Sequence, residues 1–221
     1  MTLELSASLM CADFTRLDAQ IAQLKAGGAS RLHLDFADGH FVPNLLLGTE
    51  VLGMLGGASG LKIESHLMVQ DPARFLHLFV PGSDVVILHV ESDVDPTTAI
   101  DMIRQGGKTP GLALRPDTPA RSLLPYLTKV GHILVMCVQP GFAGGRFIPA
   151  TVDMVRELRR AADADNPELD IQVDGSINEK TIPMLLEAGA NIFVGGSSGL
   201  FLGEDLTRRA RSMLETIRAR G

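Results

Sequence analysis

The sequence contains only two cysteines among its 221 residues, Cys11 and Cys137. Two cysteines cannot form the framework of several disulfides that stabilises small secreted domains, so we expect a protein of the reducing cytoplasm. The amino terminus lacks the basic start and the apolar stretch of a secretory signal peptide. No apolar run approaches the roughly 18–20 residues that a membrane helix needs, so we expect no membrane partner.

Positive charge is also scarce, because 20 lysines and arginines face 26 aspartates and glutamates, which gives a net charge of −6. The longest basic runs are the pairs Arg159-Arg160 and Arg208-Arg209. This charge pattern argues against a nucleic-acid partner and against binding to an anionic membrane. It is compatible with a phosphorylated metabolite, because backbone amides can hold a phosphate without net positive charge.

Short apolar, β-branched runs alternate with amphipathic segments along the whole chain. The runs predict strands over residues 3–8, 31–35, 61–67, 85–90, 109–114, 132–138, 171–173 and 191–194. The amphipathic segments predict helices over residues 14–26, 50–55, 72–79, 96–105, 119–127, 149–163, 179–188 and 204–218.

Eight strands alternating with eight helices is the count of a (β/α)8 TIM barrel, an α/β fold that 221 residues can form. An open, doubly wound sheet would show the same alternation. However, no G-x-G-x-x-G motif follows the first strand, and no compositional break indicates a second domain. The sequence therefore predicts a single TIM-barrel domain over residues 1–221.

Polar residues stand at the ends of the second, third and seventh predicted strands, where a TIM barrel carries its catalytic groups. His33 and Asp35 share one strand face because they are two residues apart. His66 ends the third strand, and Asp174 ends the seventh, roughly opposite the second. Each also has a plainer interpretation: a structural Asp–His hydrogen bond, a histidine in the core, and a turn aspartate before Gly175.

Glycine-rich loops follow the last three predicted strands, at residues 141–145, 174–176 and 195–199. Phosphate sites in these barrels use the late loops, where bare backbone amides converge on the anion. One such loop would indicate only a turn. Three on neighbouring strands favour a phosphate-binding site.

Two histidines and two aspartates offer a mixed set of nitrogen and oxygen donors that suits Zn²⁺, and also Fe²⁺, Mn²⁺ or Co²⁺. A divalent ion beside two carboxylates, with phosphate loops nearby, indicates proton transfer next to a carbonyl and an enediolate intermediate. Asp35 on one face of the substrate could remove a proton, and Asp174 on the other could return one. The resulting inversion is an epimerisation.

Seven segments, in the same order along nearly the whole chain, resemble the ribulose-phosphate 3-epimerase family. They are SASLMCADF at 6–14, HLDFADGHFVPN at 33–44, HLMV at 66–69, LHVES at 88–92, VMCVQPGFAGGRF at 135–147, VDGSIN at 173–178 and GSSGLF at 196–201. The resemblance implies a barrel of the ribulose-phosphate-binding type and an isomerase of carbohydrate metabolism. It also implies one bound divalent metal ion, a ketose-phosphate substrate and a homo-oligomer.

The resemblance also assigns roles to residues. The metal ligands correspond to His33, Asp35, His66 and Asp174, and the acid/base pair corresponds to Asp35 and Asp174. The substrate pocket of the family corresponds to Ser8, His66, Met68, Met136, Gly141, Phe142, Ala143, Gly144, Gly175, Ser176, Gly196 and Ser197. The two methionines also fit plain apolar packing at strand ends.

Three residues depart from the family pattern: Ala37 stands where methionine is usual, Gly145 where glutamine is usual, and Ser176 where glycine is usual. We expect a differently shaped pocket at Ala37 and a looser phosphate loop at Gly145. The local sequences at 8–11, 141–144, 174–176 and 198–201 resemble the D-allulose-6-phosphate 3-epimerase branch more than the pentulose-phosphate branch. The expected reaction is therefore D-ribulose 5-phosphate to D-xylulose 5-phosphate, or D-allulose 6-phosphate to D-fructose 6-phosphate.

Two other functions on a related barrel remain open. A phosphosugar decarboxylase would be expected to carry an Asp-x-Lys-x-x-Asp arrangement, but residues 35–38 read Asp-Phe-Ala-Asp without a lysine. An aldose–ketose isomerase belongs to the same alternative class. A non-catalytic phosphate-binding barrel would be expected to have lost its acid/base pair, and both aspartates are present.

Overall fold

The structure, a computed structural model, describes residues 1–55 and 59–219. Its centre is a closed barrel of eight parallel strands that follow one another around the barrel in chain order. The strands are β1 Glu4–Ser8, β2 Arg31–Ala37, β3 Lys62–Met68, β4 Val85–His89, β5 Thr109–Leu114, β6 His132–Met136, β7 Asp170–Asp174 and β8 Ile192–Gly195. The predicted (β/α)8 TIM-barrel fold is confirmed.

Seven α-helices of the described residues connect the strands and cover the outside of the barrel. They are α1 Leu17–Ala26, α2 Glu50–Leu55, α3 Leu76–Phe79, α4 Pro96–Gln105, α5 Thr151–Asp165, α6 Ile182–Glu187 and α7 Leu206–Arg218. Within the ranges 1–55 and 59–219, no helix has the length and apolar character needed to cross a bilayer.

The predicted helix over residues 119–127 is wrong as an α-helix. The segment instead forms two single 3₁₀ turns, Ala120–Ser122 and Leu124–Tyr126. Pro125 explains the difference, because proline donates no backbone hydrogen bond and its ring clashes with the carbonyl four residues earlier. The segment still covers the barrel, since Leu123 and Leu127 are buried.

Successive side chains of β2 point to opposite faces, so that apolar residues lie on one face and the candidate site residues on the other. Leu32, Leu34 and Phe36 join the main apolar cluster between strands and helices. His33 and Asp35, on the other strand face, point into the barrel and are also buried. All seven residues of β2 are buried, which is typical of a parallel strand covered on both faces.

Strand register brings the polar residues to one end of the barrel. Asp35 of β2 lies level with His66 of β3, and Met136 of β6 lies level with Asp174 of β7. Ser8 at the end of β1 pairs with His33. The carboxyl ends of parallel strands meet at the same end, so these side chains converge there.

Buried charges fill part of the barrel interior beneath that end. The Glu64 carboxylate accepts hydrogen bonds from Arg31 Nη1 at 2.9 Å, Gln172 Nε2 at 2.7 Å and Ser6 Oγ at 2.8 Å. Burial raises the pKa of Glu64, but the hydrogen bond to His33 and nearby positive charge outweigh it and hold the pKa well below its usual range. Buried charges are tolerated here because each is paired.

Candidate active site

Four side chains meet at the carboxyl end of the barrel: His33, Asp35, His66 and Asp174. One nitrogen or oxygen atom from each lies within 4.8 Å of the others. The first three are buried, and Asp174 is half-buried. The cluster has the composition of a site for a divalent metal ion.

The spacing within the cluster fits ligands that share one ion. His66 Nδ1 lies 2.9 Å from Asp35 Oδ1, and His33 Nε2 lies 3.4 Å from the same oxygen. Ser8 Oγ donates to the other carboxylate oxygen of Asp35 at 3.1 Å. Metal–ligand bonds of about 2.0–2.2 Å place neighbouring ligand atoms roughly 3–4 Å apart.

The His33 ring provides a separate test of whether a metal fits. Its Nδ1 lies 3.3 Å from the Glu64 carboxylate. An ionised carboxylate can only accept a hydrogen bond, so Nδ1 is the donor. Its Nε2 is buried and has no hydrogen-bond partner among the described residues. Leaving such an atom unpaired costs about 1–3 kcal/mol. A cation among these side chains would satisfy the lone pair of Nε2, so the residues present fit a bound metal.

The two aspartates have opposite pKa shifts. Burial raises the pKa of Asp174 to about 7, and the neighbouring Asp35 carboxylate adds to the rise. Burial also disfavours the ionised form of Asp35, but the imidazoles of His33 and His66 outweigh it and hold its pKa well below the usual range. Near neutral pH the pair therefore holds one ionised carboxylate and one carboxyl that readily carries a proton.

The two histidines also differ. Burial lowers the pKa of His66 to about 4, although Asp35 opposes the change. Burial acts the same way on His33, but the charge of the nearby Asp35 carboxylate and the hydrogen bond to Glu64 raise the pKa of His33 well above its usual value. Ligation requires the neutral form of each ring, so His33 must lose a proton to bind a metal and His66 need not.

A solvent-open pocket with about 530 Å³ of empty volume lies against this cluster, and both aspartates line it. Eleven of the predicted substrate residues line the pocket: Ser8, Met68, Met136, Gly141, Phe142, Ala143, Gly144, Gly175, Ser176, Gly196 and Ser197. His66, which was predicted to contact the substrate as well, is fully buried and is not among the lining residues. The three predicted glycine loops therefore do meet around one pocket.

Sequence comparison adds independent information. Residues 4–201 match the profile of the family described as the ribulose-phosphate 3 epimerase family. The ribulose-phosphate 3-epimerase of Bacillus subtilis is 34% identical over 89% of this chain and 91% of its own length. The enzyme of that name from Treponema pallidum is 40% identical over 88% of this chain and 89% of its own.

The chain belongs to the ribulose-phosphate 3-epimerase family. Among solved structures, the thiamine phosphate pyrophosphorylase of Pyrococcus furiosus superposes with a TM-score of 0.66, covering 98% of this chain and 96% of its own. At 13% sequence identity, that similarity shows the shared barrel fold alone.

Six other lining residues were not assigned a place in the pocket from the sequence. They are Met10, Cys11, Val138, Gln139, Pro140 and Val194, whereas Gly145 and Ser198, which also line it, belong to the predicted glycine-rich loops. Met10 and Cys11 lie in the 3₁₀ turn that directly follows β1. Loops after barrel strands form the site, so the positions that follow β1 and β6 carried a usable signal.

Two of the departures from the epimerase family pattern are linked to each other. Ser176 adopts a left-handed backbone with φ of 55°, which glycine adopts without strain. Its Oγ donates to the carbonyl oxygen of Gly145 at 2.5 Å. A Cβ at residue 145 would lie 2.9 Å from Cβ of Val138, so a longer side chain needs Val138 to move. This hydrogen bond links the loop at Gly145 to the loop after β7, and the expected looseness of the loop at Gly145 stays a prediction.

The third departure, Ala37, does not line the active-site pocket. Ala37 packs with Val42 and Met68 in a small cluster that Met10 and Phe41 also contact. Its neighbours Met10 and Met68 do line the pocket, so residue 37 can affect the pocket shape through them. The expectation of a differently shaped pocket at Ala37 stays a prediction.

Proposed function

We propose that this member of the ribulose-phosphate 3-epimerase family inverts C3 of a ketose phosphate by two-base proton transfer. The observation that carries the proposal is the pairing of Asp35 and Asp174 in one cluster, with pKa values that differ in direction. Inversion needs a base on one face of C3 and an acid on the other. The name shared by the family relatives, a 3-epimerase, describes the same reaction.

The proposed ligands of one divalent metal ion are His33, Asp35, His66 and Asp174. Zn²⁺ is the proposed ion, and Fe²⁺, Mn²⁺ and Co²⁺ suit the same nitrogen and oxygen donors. When bound, the ion supplies positive charge that polarises the substrate carbonyl and stabilises the negative charge of the enediolate.

The proton transfers themselves belong to the aspartates. Asp35 stays ionised and takes the C3 proton on its face, while Ser8 holds the second carboxylate oxygen through a hydrogen bond. Asp174, with a pKa of about 7, delivers a proton to the opposite face. The reverse reaction uses the same groups with their roles exchanged. Such a separation of pKa values is how paired carboxyls divide the roles of acid and base.

The proposed phosphate site is formed by the loops after β6, β7 and β8. Gly141 and Gly175 both have φ of 109°, and a Cβ at residue 175 would lie 2.5 Å from Cγ2 of Val138. Glycine therefore keeps these loops close together and leaves their amides bare for an anion. Gly196 and Ser197 complete the opposite loop, and Met68 and Met136 supply apolar surface for the planar enediolate.

The test is substitution of each acid/base residue by its isosteric amide. Asp35→Asn and Asp174→Asn should each lower kcat by about 10²–10⁴-fold, the usual contribution of a general acid or base. The matched control is Asp165→Asn, because Asp165 is exposed at the end of α5. Near wild-type turnover by both active-site variants would contradict the mechanism.

The alternative activities give different products. Release of carbon dioxide from a keto-acid phosphate would indicate a decarboxylase, and interconversion of an aldose with a ketose would indicate an isomerase. A non-catalytic phosphate-binding barrel would exchange no C3 hydrogen with solvent. The absence of a lysine between Asp35 and Asp38 speaks against the decarboxylase.

The length of the sugar is a separate part of the proposal. Relatives at 34% and 40% identity bear the name of the ribulose-phosphate enzyme, whereas several local motifs resemble the allulose-phosphate branch. Kinetics with D-ribulose 5-phosphate and D-allulose 6-phosphate, measured side by side, would decide between them. We further propose that the protein is a single domain, that it is cytoplasmic and that it forms a homo-oligomer. Light scattering of the purified protein would test the oligomeric state.

A further inference from the structure

Three hydrogen bonds, of which the first is buried and the other two are part-buried, lead away from the cluster towards β4. His66 Nε2 lies 2.9 Å from Nε2 of His89, the last residue of β4. His89 Nδ1 lies 3.0 Å from Oε2 of Glu91. The second oxygen of Glu91 accepts from the backbone N–H of Arg115 at 2.9 Å. Neither His89 nor Glu91 lines the substrate pocket. The proton transfers proposed above therefore give this series of hydrogen bonds no role.

The carboxylate at the far end fixes the direction of every bond. An ionised carboxylate can only accept, so the proton between His89 and Glu91 sits on Nδ1 of His89. A neutral imidazole carries one N–H, which makes Nε2 of His89 the acceptor. His66 must then donate from its own Nε2, and its Nδ1 keeps a free lone pair. That Nδ1 lies 2.9 Å from Oδ1 of Asp35, which as an ionised carboxylate also only accepts. Two lone pairs therefore face each other in the cluster, and a cation between them would satisfy both.

We propose that His89 and Glu91 are positioning residues, which hold His66 in the tautomer whose Nδ1 can bind the metal ion. The inference rests on the proposed metal site and adds two residues that do not touch the metal. Outer partners of metal-binding histidines set the tautomer and the ring orientation, and their loss weakens metal binding by about 10–100-fold. Glu64 acts on His33 in the same way, because its carboxylate contacts Nδ1 of the His33 ring directly.

The surroundings of His89 hold its ring in place. The ring of Phe41 packs on it with centroids 4.7 Å apart. The guanidinium of Arg115 lies 4.1 Å from the centroid of Phe41, and its Nη2 donates to the Phe41 carbonyl at 2.7 Å. Arg115 therefore holds both neighbours of the His89 ring: its guanidinium contacts Phe41, and its backbone N–H orients Glu91. The ring is preorganised rather than free to turn.

The experiment compares two substitutions of the same residue. In His89→Gln the amide oxygen can replace Nε2 as acceptor for His66, whereas His89→Phe offers no acceptor. Both variants lose the bond to Glu91, so a purely structural role predicts equal effects. Zn²⁺ affinity of the metal-free proteins is measured by competition with a chromogenic chelator. We expect binding about 10–100-fold weaker in His89→Phe and close to wild type in His89→Gln.

Two results would overturn the inference: unchanged affinity in His89→Phe, or equal loss in both variants. Failure of the wild-type protein to bind Zn²⁺ would instead contradict the proposed metal site. Should His89→Phe not fold, ¹⁵N NMR of the histidine rings in the zinc-loaded wild type decides the question. A proton on Nδ1 of His89 supports the inference, and a proton on Nε2 of His89 overturns it.

Discussion

At the scale of single residues, identical side chains acquire different chemistry from their neighbours. The strand-end positions of Asp35 and Asp174 could be predicted from the sequence, because a barrel places its catalytic groups there. Their opposite pKa shifts could not, since they arise from burial and from His33 and His66 on neighbouring strands. The orphaned Nε2 of His33 likewise becomes visible only when its surroundings are known.

Metal binding should release protons. Before ligation, the raised pKa of His33 favours the protonated ring. The ring must lose that proton to coordinate, so affinity should fall as the pH drops. Asp174 can bind through one oxygen and keep on the other the proton that it delivers to the substrate. Calorimetry in buffers of different ionisation heat would count the protons released.

The matched variant for this titration is His33→Gln, whose side chain has no ring proton to lose. It should bind metal more weakly and release fewer protons than wild type at pH 7. A metal affinity that does not change with pH, or equal proton release by the two proteins, would argue against these assignments.

At the scale of elements, apolar periodicity located the strands well and the helices less well. The eight predicted strands were present, with β2 extended to Ala37 and β3 to Met68. Such ends depend on pairing with the neighbouring strand, which a single segment does not reveal. The helix predicted over 119–127 was wrong because the prediction relied on the amphipathic pattern of the segment and did not allow for Pro125, which disfavours a helix interior.

The loop after β7 provides a test of close packing. In Gly175→Ala the new Cβ would meet Cγ2 of Val138 at 2.5 Å and its backbone nitrogen at 2.9 Å, at a backbone φ of 109°. We expect stability to fall by more than the about 1–3 kcal/mol that a strained backbone alone costs. We also expect KM for the ketose phosphate to rise, because the phosphate loops must separate.

Gly107→Ala is the control for that variant. Gly107 also has a positive φ, of 72°, but no atom lies within 4 Å of a Cβ built there. Urea unfolding of both variants therefore separates the clash from the backbone strain. Equal losses of stability would mean that the contact with Val138 is easily relieved.

At the scale of the whole molecule, closure of the barrel joins distant parts of the chain through buried charges. Arg31 forms ion pairs with Glu4 at 2.7 Å, Glu64 at 2.9 Å and Asp170 at 3.2 Å, which lie on β1, β3 and β7. The alternation of elements predicted the fold, but not this network. Contacts such as Arg31 with Asp170 require the closed ring and not only the order of elements.

Acid should weaken this network. Burial raises the pKa of Glu4, but the hydrogen bonds and charge of Arg31 outweigh it, and the pKa lies below its usual value of 4.5. A lowered pKa in the folded state adds stability above the unfolded value, and that stability is lost as the pH falls through the folded value. Stability should therefore decline as the pH drops below about 4.5.

Glu4→Gln tests the contribution of that carboxylate. At pH 7 the variant should lose about 1.5–3 kcal/mol, the typical value of a hydrogen bond to a charged group. Its stability should also fall less steeply than that of wild type below pH 4.5. Parallel pH profiles of the two proteins, measured by urea unfolding, would exclude a role for Glu4 in acid sensitivity.

The central claim, inversion of C3 by two separate acid/base groups, is tested most directly by the hydrogen that the product carries. The first turnovers of D-ribulose 5-phosphate and D-allulose 6-phosphate are run in D₂O, and the C3 position of the epimer formed is analysed by NMR. Two bases predict deuterium at C3 of nearly every product molecule, because Asp174 delivers a proton that has exchanged with solvent. Product that retains the original C3 hydrogen would contradict the account.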